Sequence, residues 1–206
     1  SSFGALIIGL IFALISSKEN LTPIKLALIG IALGALSLSL SAGVISYGNV
    51  FPSQVLSLIT GSFSSSTWDT VVTSSIAFII CLFLSCLIAN TLKVLLLGDR
   101  LSKTLSVNPQ KIRLITMLIV GILTAASVHL GGLVGFIGLL APHIARKIVG
   151  NDSIKLVLMT TFIGGYFALS SDQIARLLFS PVELPVGLIT TIIGAPVMIY
   201  IGVKLK

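Results

Sequence analysis

The sequence predicts an all-α protein, a polytopic bundle of membrane-spanning helices. Its 206 residues are 55% hydrophobic and only 9% charged, and the mean hydropathy of +1.14 excludes an ordinary soluble domain. A helix that crosses the hydrocarbon core needs about 20 mainly apolar residues. About seven segments meet this requirement, at about 1–15, 24–45, 71–92, 112–130, 133–149, 154–171 and 186–203.

The positions of the basic residues predict how the bundle is oriented. If the C-terminus lies in the cytoplasm, the inner segments are roughly 16–25, 93–113, 146–155 and 204–206. These segments hold all but one of the 13 Lys and Arg residues, and only Arg176 falls outside them. Because cytoplasmic loops are enriched in Lys and Arg, we expect a cytoplasmic C-terminus. The net charge of +7 therefore does not call for a nucleic-acid partner.

The helix predicted at 24–45 carries a stripe of small residues. Gly34, Ser37 and Ser41 recur at helical spacing, so they share one face. Two interpretations of this stripe stay open. It can pack closely against another helix, with the serine hydroxyls bonded to their own backbone, or it can form one wall of a translocation path.

The connector at 46–70 is polar and contains no basic residue, so we place it on the outer side. Pro52 suits the start of a helix, and a short helix is expected from Pro52 to Thr60. Trp68 is an expected anchor at the membrane interface, where amphipathic rings concentrate.

The segment at 93–113 is longer than a simple turn between two spans requires. Leu97, Leu101 and Leu105 fall four residues apart and form one apolar edge of a short amphipathic helix. The edge fits two roles, because it can lie on the bilayer surface or dock into a partner protein. A structured cytoplasmic surface is expected in either case.

Four glycines, a proline and a histidine interrupt the apolar stretch at 131–146. Proline removes a backbone donor and clashes with the preceding turn, and glycine lets another backbone come close. The stretch predicts a tight turn at Gly131-Gly132, followed by a distorted and buried helix. Pro142 is expected to kink that helix, and His143 to bond a polar group that the kink frees.

Arg176 is the basic residue that the positive-inside pattern leaves outside. Asp172 lies four residues before it, so the two side chains can pair across one helical turn. Because an unpaired charge at mid-membrane costs about 2.5–3.5 kcal/mol, both must lie at the outer rim or face a wet interior. Arg176 has two possible roles, this intrahelical pair and a docking point for an acidic residue of an external partner protein. Glu183 is expected near Arg176 or at the start of the last helix.

The last predicted helix contains the sequence Gly194-Ala195-Pro196. A proline inside a helix kinks it. Gly194 and Pro196 therefore indicate a second distorted element, as expected of a helix that lines a pathway or packs at a subunit axis.

No catalytic or cofactor-binding pattern stands out in the sequence. There is no glycine-rich phosphate loop ending in Lys-Ser/Thr, no His-Glu-x-x-His pattern and no Ser/His/Asp set in a usable order. The chain is not expected to be an enzyme, to hold a metal or to need a cofactor. If it transports a solute uphill, the energy must come from a partner subunit.

Three blocks resemble the FecCD-type permeases of ABC importers, a family that takes up iron–siderophore complexes, haem and vitamin B12. Residues 135–146, which read Gly-Phe-Ile-Gly-Leu-Leu-Ala-Pro-His-Ile-Ala-Arg, are similar to the family signature GFIGLxxPHxxR. Residues 171–176 resemble the segment ADxxAR, and residues 183–197 resemble ELPVGxxTxxxGAP. The blocks stand in the family's order, and a weaker match joins Thr60-Gly61-Ser62 to Trp68.

The resemblance implies the architecture of a type II ABC importer permease, which usually has about ten spanning helices. The chain, residues 1–206, is then expected to be the C-terminal two-thirds of one transmembrane permease domain in a bacterial cell membrane, with three helices before Ser1. The implied partners are a second permease subunit (identical or paralogous), two ATP-binding subunits, an extracellular or periplasmic solute-binding protein and the lipid bilayer.

The resemblance also implies which residues contact these partners. Segment 97–109 is similar to the family's LGexxAxxLG coupling segment, whose two short helices dock into the ATP-binding subunit. The corresponding residues here are Gly98, Asp99, Arg100, Leu101, Ser102, Lys103 and Leu105. Asp99, Ser102 and Ser106 depart from the pattern, where Glu, Ala and Gly are usual, and Ser106 puts the turn between the two helices in question. Arg176 matches the arginine that contacts the binding protein in the family.

The predicted function is the import of a ferric siderophore complex by alternating access, driven by ATP. Haem and vitamin B12 stay open as cargo, because nothing in the sequence separates them from siderophores. The competing class is a secondary transporter driven by an ion gradient, which needs buried acids or histidines near the midplane. Every Asp and Glu is expected in a loop or at a helix end, which argues against that class.

Overall fold

A computed structural model of the chain describes residues 23–47, 61–63, 66–95, 99–105, 107–178 and 184–204. All regular elements among them are α-helices, which confirms the predicted fold class. They are α1 (Pro23–Tyr47), α2 (Trp68–Leu95), α3 (Asp99–Thr104), α4 (Pro109–Gly131), α5 (Ile137–Val149), α6 (Ser153–Leu178) and α7 (Val186–Lys204).

Four of the described helices, α2, α4, α6 and α7, are long and apolar enough to cross a membrane. Each is longer than its predicted span, and α6 extends furthest, from the predicted end at 171 to Leu178. Helix α1 has 25 residues, which is also sufficient length for a crossing. The helices predicted at 1–15 and from Pro52 to Thr60 lie outside the described residues.

Helix α5 corrects one predicted span. A crossing was expected at 133–149, but the helix contains only the 13 residues Ile137–Val149. At 1.5 Å per residue it is about 20 Å long, which is short of the roughly 30 Å hydrocarbon core. The preceding residues are not helical, because Gly132 and Phe136 have positive φ angles of 71° and 65°. A crossing at this place therefore combines a non-helical stretch at 132–136 with a short helix and is not one continuous spanning helix.

The helices pack through small side chains. Helix α2 packs against α4 and α6, and α6 also contacts α5 and α7. Large apolar side chains such as Ile79, Phe83 and Leu87 of α2 are exposed, whereas the buried positions hold mostly small residues. The small buried Ala, Ser and Cys residues are Ser74, Cys81, Ala89, Ser102, Ala125, Ala141, Ala145, Ser171 and Ala175. Since lipid tails solvate large apolar side chains and close helix contact requires small ones, this distribution suits a membrane bundle.

Three backbone segments meet beside the end of α4 and form what we call the loop junction. The Ser62 N–H donates to the Gly131 carbonyl at 2.9 Å, and the Val186 N–H donates to the Gly61 carbonyl at 2.9 Å. These bonds join the stretch before α2 both to the end of α4 and to the start of α7. The loop junction comprises residues 61–63, 130–136 and 184–194.

Gly61 is the residue of the loop junction where backbone conformation and backbone contact both require glycine. Its φ is 73°, and an added Cβ would lie 2.7 Å from the Leu133 carbonyl oxygen. Glycine adopts this left-handed conformation without steric cost and allows the close backbone approach. A side chain at Gly61 would therefore separate the backbone segments that meet there.

Phe136 joins the non-helical break to α7. It is the one non-glycine residue with positive φ among the described residues, a conformation that costs about 1–3 kcal/mol. Its side chain lies against α7, where a Cβ added to Gly194 would come within 2.5 Å of the Phe136 Cβ. The start of α5 and the middle of α7 are thus in contact, and no space is left between them for an additional methyl group.

We expect Gly194→Ala to destabilise the protein by about 1–3 kcal/mol, because the added methyl overlaps Phe136. Gly202→Ala is a matched control in the same helix, since its new Cβ has no neighbour within 4 Å. The control should keep wild-type stability or gain up to about 1 kcal/mol from helix propensity. Thermal unfolding of the full-length protein in detergent measures both changes. Equal stability of the two variants would contradict the contact between Phe136 and Gly194.

Candidate functional site

The end of the bundle opposite the loop junction carries the short helix α3. Ser102 is fully buried there, and its hydroxyl donates to the Val94 carbonyl, in the last turn of α2, at 3.0 Å. The Ser102 carbonyl in turn accepts from the Val107 N–H at 3.0 Å. Ser102 therefore fastens α3 to α2 on one side and to the approach to α4 on the other.

Beside the buried Ser102, α3 and the residue that follows it present an apolar edge. The side chains of Leu101 and Leu105, four residues apart, are 56% and 57% exposed. This arrangement matches the edge expected from their spacing of four residues. The side chains of Asp99, Arg100 and Lys103, and all of Gly98 and Leu97, lie outside what the structure describes. Leu101, Ser102 and Leu105 are thus the predicted coupling residues whose environment can be read.

The described residues between α2 and α4 contain one short helix, α3, where the resemblance implied two short helices. Helix α4 already begins at Pro109, with Asn108 as its N-cap. The Asn108 side-chain oxygen accepts from the N–H groups of Gln110 at 3.1 Å and Lys111 at 3.4 Å. The second implied element is therefore the first turn of a continuous helix that runs to Gly131. The turn at Ser106 lies outside the described residues.

At the other end of the bundle, Arg176 pairs with Asp172 within α6. The Arg176 Nε lies 2.9 Å from the Asp172 Oδ2. The arginine side chain is 45% exposed, whereas the aspartate side chain is only 13% exposed. The intrahelical pair that the spacing allowed is present, and it leaves the guanidinium at the surface. Glu183, the other predicted docking residue, lies outside the described residues.

The small-residue stripe of α1 is described at Gly34 and Ser37. Gly34 is exposed, and no atom lies within 4 Å of the position of an added Cβ. The Ser37 hydroxyl donates to the Leu33 carbonyl of its own helix at 2.7 Å, and the side chain of Ser41 is not described. Back-bonding of this kind agrees with close packing and equally with a pathway wall, so both interpretations persist.

Helices α5 and α7 both contain an internal proline, Pro142 and Pro196. Pro142 and His143 are half-buried. Within the described part of the chain His143 has no hydrogen bond, so the expected bond to a group freed by the kink is not formed there. Helices α5 and α7 are in contact, because Gly194 of α7 lies against Phe136, the residue just before α5.

The predicted residues thus separate into four places rather than one cluster. Helix α3 lies at one end and Arg176 at the other, and the proline-containing helices α5 and α7 lie in contact between them. The stripe of α1 is the fourth place. Among the described residues no group of three or more His, Cys, Asp or Glu could hold a metal ion.

Sequence reasoning missed Phe136 and the anchoring role of Ser102. The positive φ of Phe136 had no signal beyond its place between two glycines. A serine where alanine is usual was a signal for Ser102, because a buried hydroxyl requires a hydrogen-bond partner.

The comparison with protein families gives a match along almost the whole chain. The profile of the FecCD transport family matches residues 1–204. The Fe(3+)-citrate import system permease protein YfmD of Bacillus subtilis is 36% identical over 201 residues, which cover 98% of this chain. The vitamin B12 import system permease protein BtuC of Vibrio cholerae is 32% identical over 206 residues and likewise covers 98% of the chain.

These relatives are longer than the chain. The aligned regions cover 60% of YfmD and 61% of BtuC, so the chain spans about 60% of the length of these curated relatives. A solved structure of an inward-facing ABC transporter, assigned to the metal-chelate type, superposes with a TM-score of 0.84 at 29% identity. That alignment covers 98% of this chain and 65% of the solved one.

We expect Ser102→Ala to loosen α3, because the Val94 carbonyl loses its buried donor. A net loss of about 1 kcal/mol is typical of such a bond. Thr104→Ala is the matched control, since the Thr104 hydroxyl bonds the Leu101 carbonyl at an exposed position. Amide hydrogen exchange in residues 99–105 should accelerate in Ser102→Ala and change less in the control. Unchanged exchange in both variants would show that Ser102 is not the anchor.

Proposed function

The chain belongs to the FecCD transport family, and from this membership we propose that it is part of the transmembrane permease subunit of an ATP-driven importer. Four described helices can cross a membrane, so the protein is a multi-pass membrane protein. We place it in the bacterial cell membrane with a cytoplasmic C-terminus, because that orientation puts nearly all Lys and Arg residues inside.

The proposed cargo is a ferric siderophore complex or a similar iron chelate. The names of the relatives support this class, since they include Fe(3+)-citrate and iron(3+)-hydroxamate import permeases of Bacillus subtilis. A vitamin B12 permease stands at similar identity, so B12 stays an alternative cargo, as does haem. Either cargo would use the same architecture.

The observation that carries the proposal is the construction of α3. A free linker would not need a fully buried serine that fixes it to α2, nor two exposed leucines on one edge. A short helix that is held in place and exposes an apolar edge can bind in an apolar groove of another protein without first having to fold. We assign this surface to the ATP-binding subunit, whose closure would then move the ends of α2 and α4 together.

The prolines inside α5 and α7 support alternating access between inward-open and outward-open states. Pro142 and Pro196 each remove one backbone hydrogen bond from their helix, so both helices have a point at which a change of direction is less costly. Acidic side chains give no support to an ion-gradient mechanism, because no Asp or Glu of the described helices lies near the middle of a span. Asp69 lies in the first turn of α2, and Asp172 lies within two turns of the end of α6.

At the outer end we propose that Arg176 contacts an acidic residue of a solute-binding protein. Its side chain is nearly half exposed at the end of α6. A charge at the rim of an interface mainly steers encounter and orientation. A second permease subunit, identical or paralogous, and two ATP-binding subunits would complete the importer.

The first test of this function is Leu101→Asp in the full-length permease, reconstituted with its ATP-binding subunits in lipid. A carboxylate on the apolar edge would be desolvated in the proposed contact, so ATP-dependent uptake should fall about tenfold or more. Thr104→Asp adds the same charge to the same helix at an exposed position and should retain most of the uptake. Equal uptake by both variants and the wild type would remove α3 from the ATPase contact.

The second test is Arg176→Glu, measured as the stimulation of ATP hydrolysis by the solute-binding protein. Reversal of the charge should abolish the stimulation, because an acid would then face an acid. Lys155→Glu reverses a charge at the other end of the same helix and should keep it. Stimulation that survives Arg176→Glu would mean that the binding protein docks elsewhere.

A further inference from the structure

The pair formed by Asp172 and Arg176 first looks like an alternative to docking, because it already supplies the arginine with a counter-ion. Its geometry argues otherwise. The contact at 2.9 Å is made by Nε, on the side of the guanidinium, and not by its terminal nitrogens alone. A carboxylate bound along that side leaves most of the guanidinium N–H donors open to a second carboxylate.

Exposure separates the roles of the two residues. The Asp172 side chain is largely covered, at 13% exposure, so it has little freedom of its own and little surface for a partner. The Arg176 side chain is 45% exposed and long enough to sample many rotamers when it is not held. The largely covered carboxylate of Asp172 thus restricts the rotamers of the exposed Arg176 side chain.

We propose that Asp172 is a positioning residue, which holds the guanidinium of Arg176 ready for a carboxylate of the solute-binding protein. This inference rests on the docking role proposed for Arg176. Immobilising a rotamer-rich side chain at an interface is unfavourable, and a side chain that is already held avoids most of that loss on binding. Asp172 acts only through Arg176 and makes no contact with the partner.

The proposal has a kinetic signature that simple damage to the fold would not produce. Asp172→Asn removes a negative charge beside Arg176, so the local positive charge grows and association with an acidic partner should be as fast as in the wild type or faster. The guanidinium is then less well held, so dissociation should accelerate by about threefold to tenfold. A misfolded surface would slow association instead.

A second ion pair on α6 supplies the control. Asp152 lies 3.2 Å from Lys155 at the other end of the helix, and hydrogen bonds from Lys155 lower the pKa of the Asp152 carboxyl. Asp152→Asn therefore removes the same charge, by the same chemical change, far from Arg176. It should leave both rate constants unchanged.

The experiment measures association and dissociation of the purified solute-binding protein on the full transporter in lipid nanodiscs. It compares Asp172→Asn, Arg176→Ala, the double variant and Asp152→Asn at low and high salt. The expected result is faster dissociation in Asp172→Asn without slower association. The double variant should dissociate no faster than Arg176→Ala, because Asp172 affects binding only through its contact with Arg176.

The other possible results show whether the docking role of Arg176 or the positioning role of Asp172 is wrong. If Arg176→Ala binds like the wild type, the proposed docking function fails, and the inference fails with it. If Arg176→Ala weakens binding but Asp172→Asn has wild-type rates, docking stands and the positioning role is refuted. Slower association in Asp172→Asn, or additive effects in the double variant, would likewise overturn it.

Discussion

Every backbone N–H and carbonyl inside a membrane protein needs a partner, and the loop junction is where this requirement is hardest to meet. The chain stops being helical after Gly131 and resumes at Ile137. Hydrogen bonds from Ser62 to Gly131 and from Val186 to Gly61 pair backbone groups around this break with neighbouring segments. The same bonds fix where α2, α4 and α7 begin or end relative to one another. The position of α5, and therefore of its proline, follows from that arrangement.

The two ends of the bundle meet different requirements. At the α3 end, a buried serine hydroxyl holds a short helix in place beside two exposed leucines. At the other end, a largely covered carboxylate lies against an exposed guanidinium, and the surface is charged. Apolar edges suit a lasting contact between subunits, whereas a rim charge suits a partner that arrives and leaves. Helices α5 and α7, each with an internal proline, lie between the two ends.

Hydrophobic length predicted the spans at α2, α4, α6 and α7, because each is a long apolar run with few charged residues. The same criterion failed at 133–149, since composition does not report φ, and positive φ at Phe136 cannot be read from an apolar sequence. Spacing correctly predicted the edge of Leu101 and Leu105. The spacing of Asp172 and Arg176 also indicated that the two can form an ion pair, but it does not determine which atoms are in contact or which side chain is buried. Those facts depend on tertiary packing against neighbouring helices.

The small size of the buried residues has a consequence for how this sequence can drift over evolutionary time. In a soluble protein the interior is filled by large side chains, and the surface accepts most exchanges. Here the interior is lined with Ala, Ser and Gly, while Ile, Leu and Phe lie outward. Selection should therefore act most strongly against gains of volume at positions such as Ala145 and Ala175, which are almost completely covered. Outward apolar positions should interchange freely among homologues, so that the most invariant columns of the family would be its smallest residues.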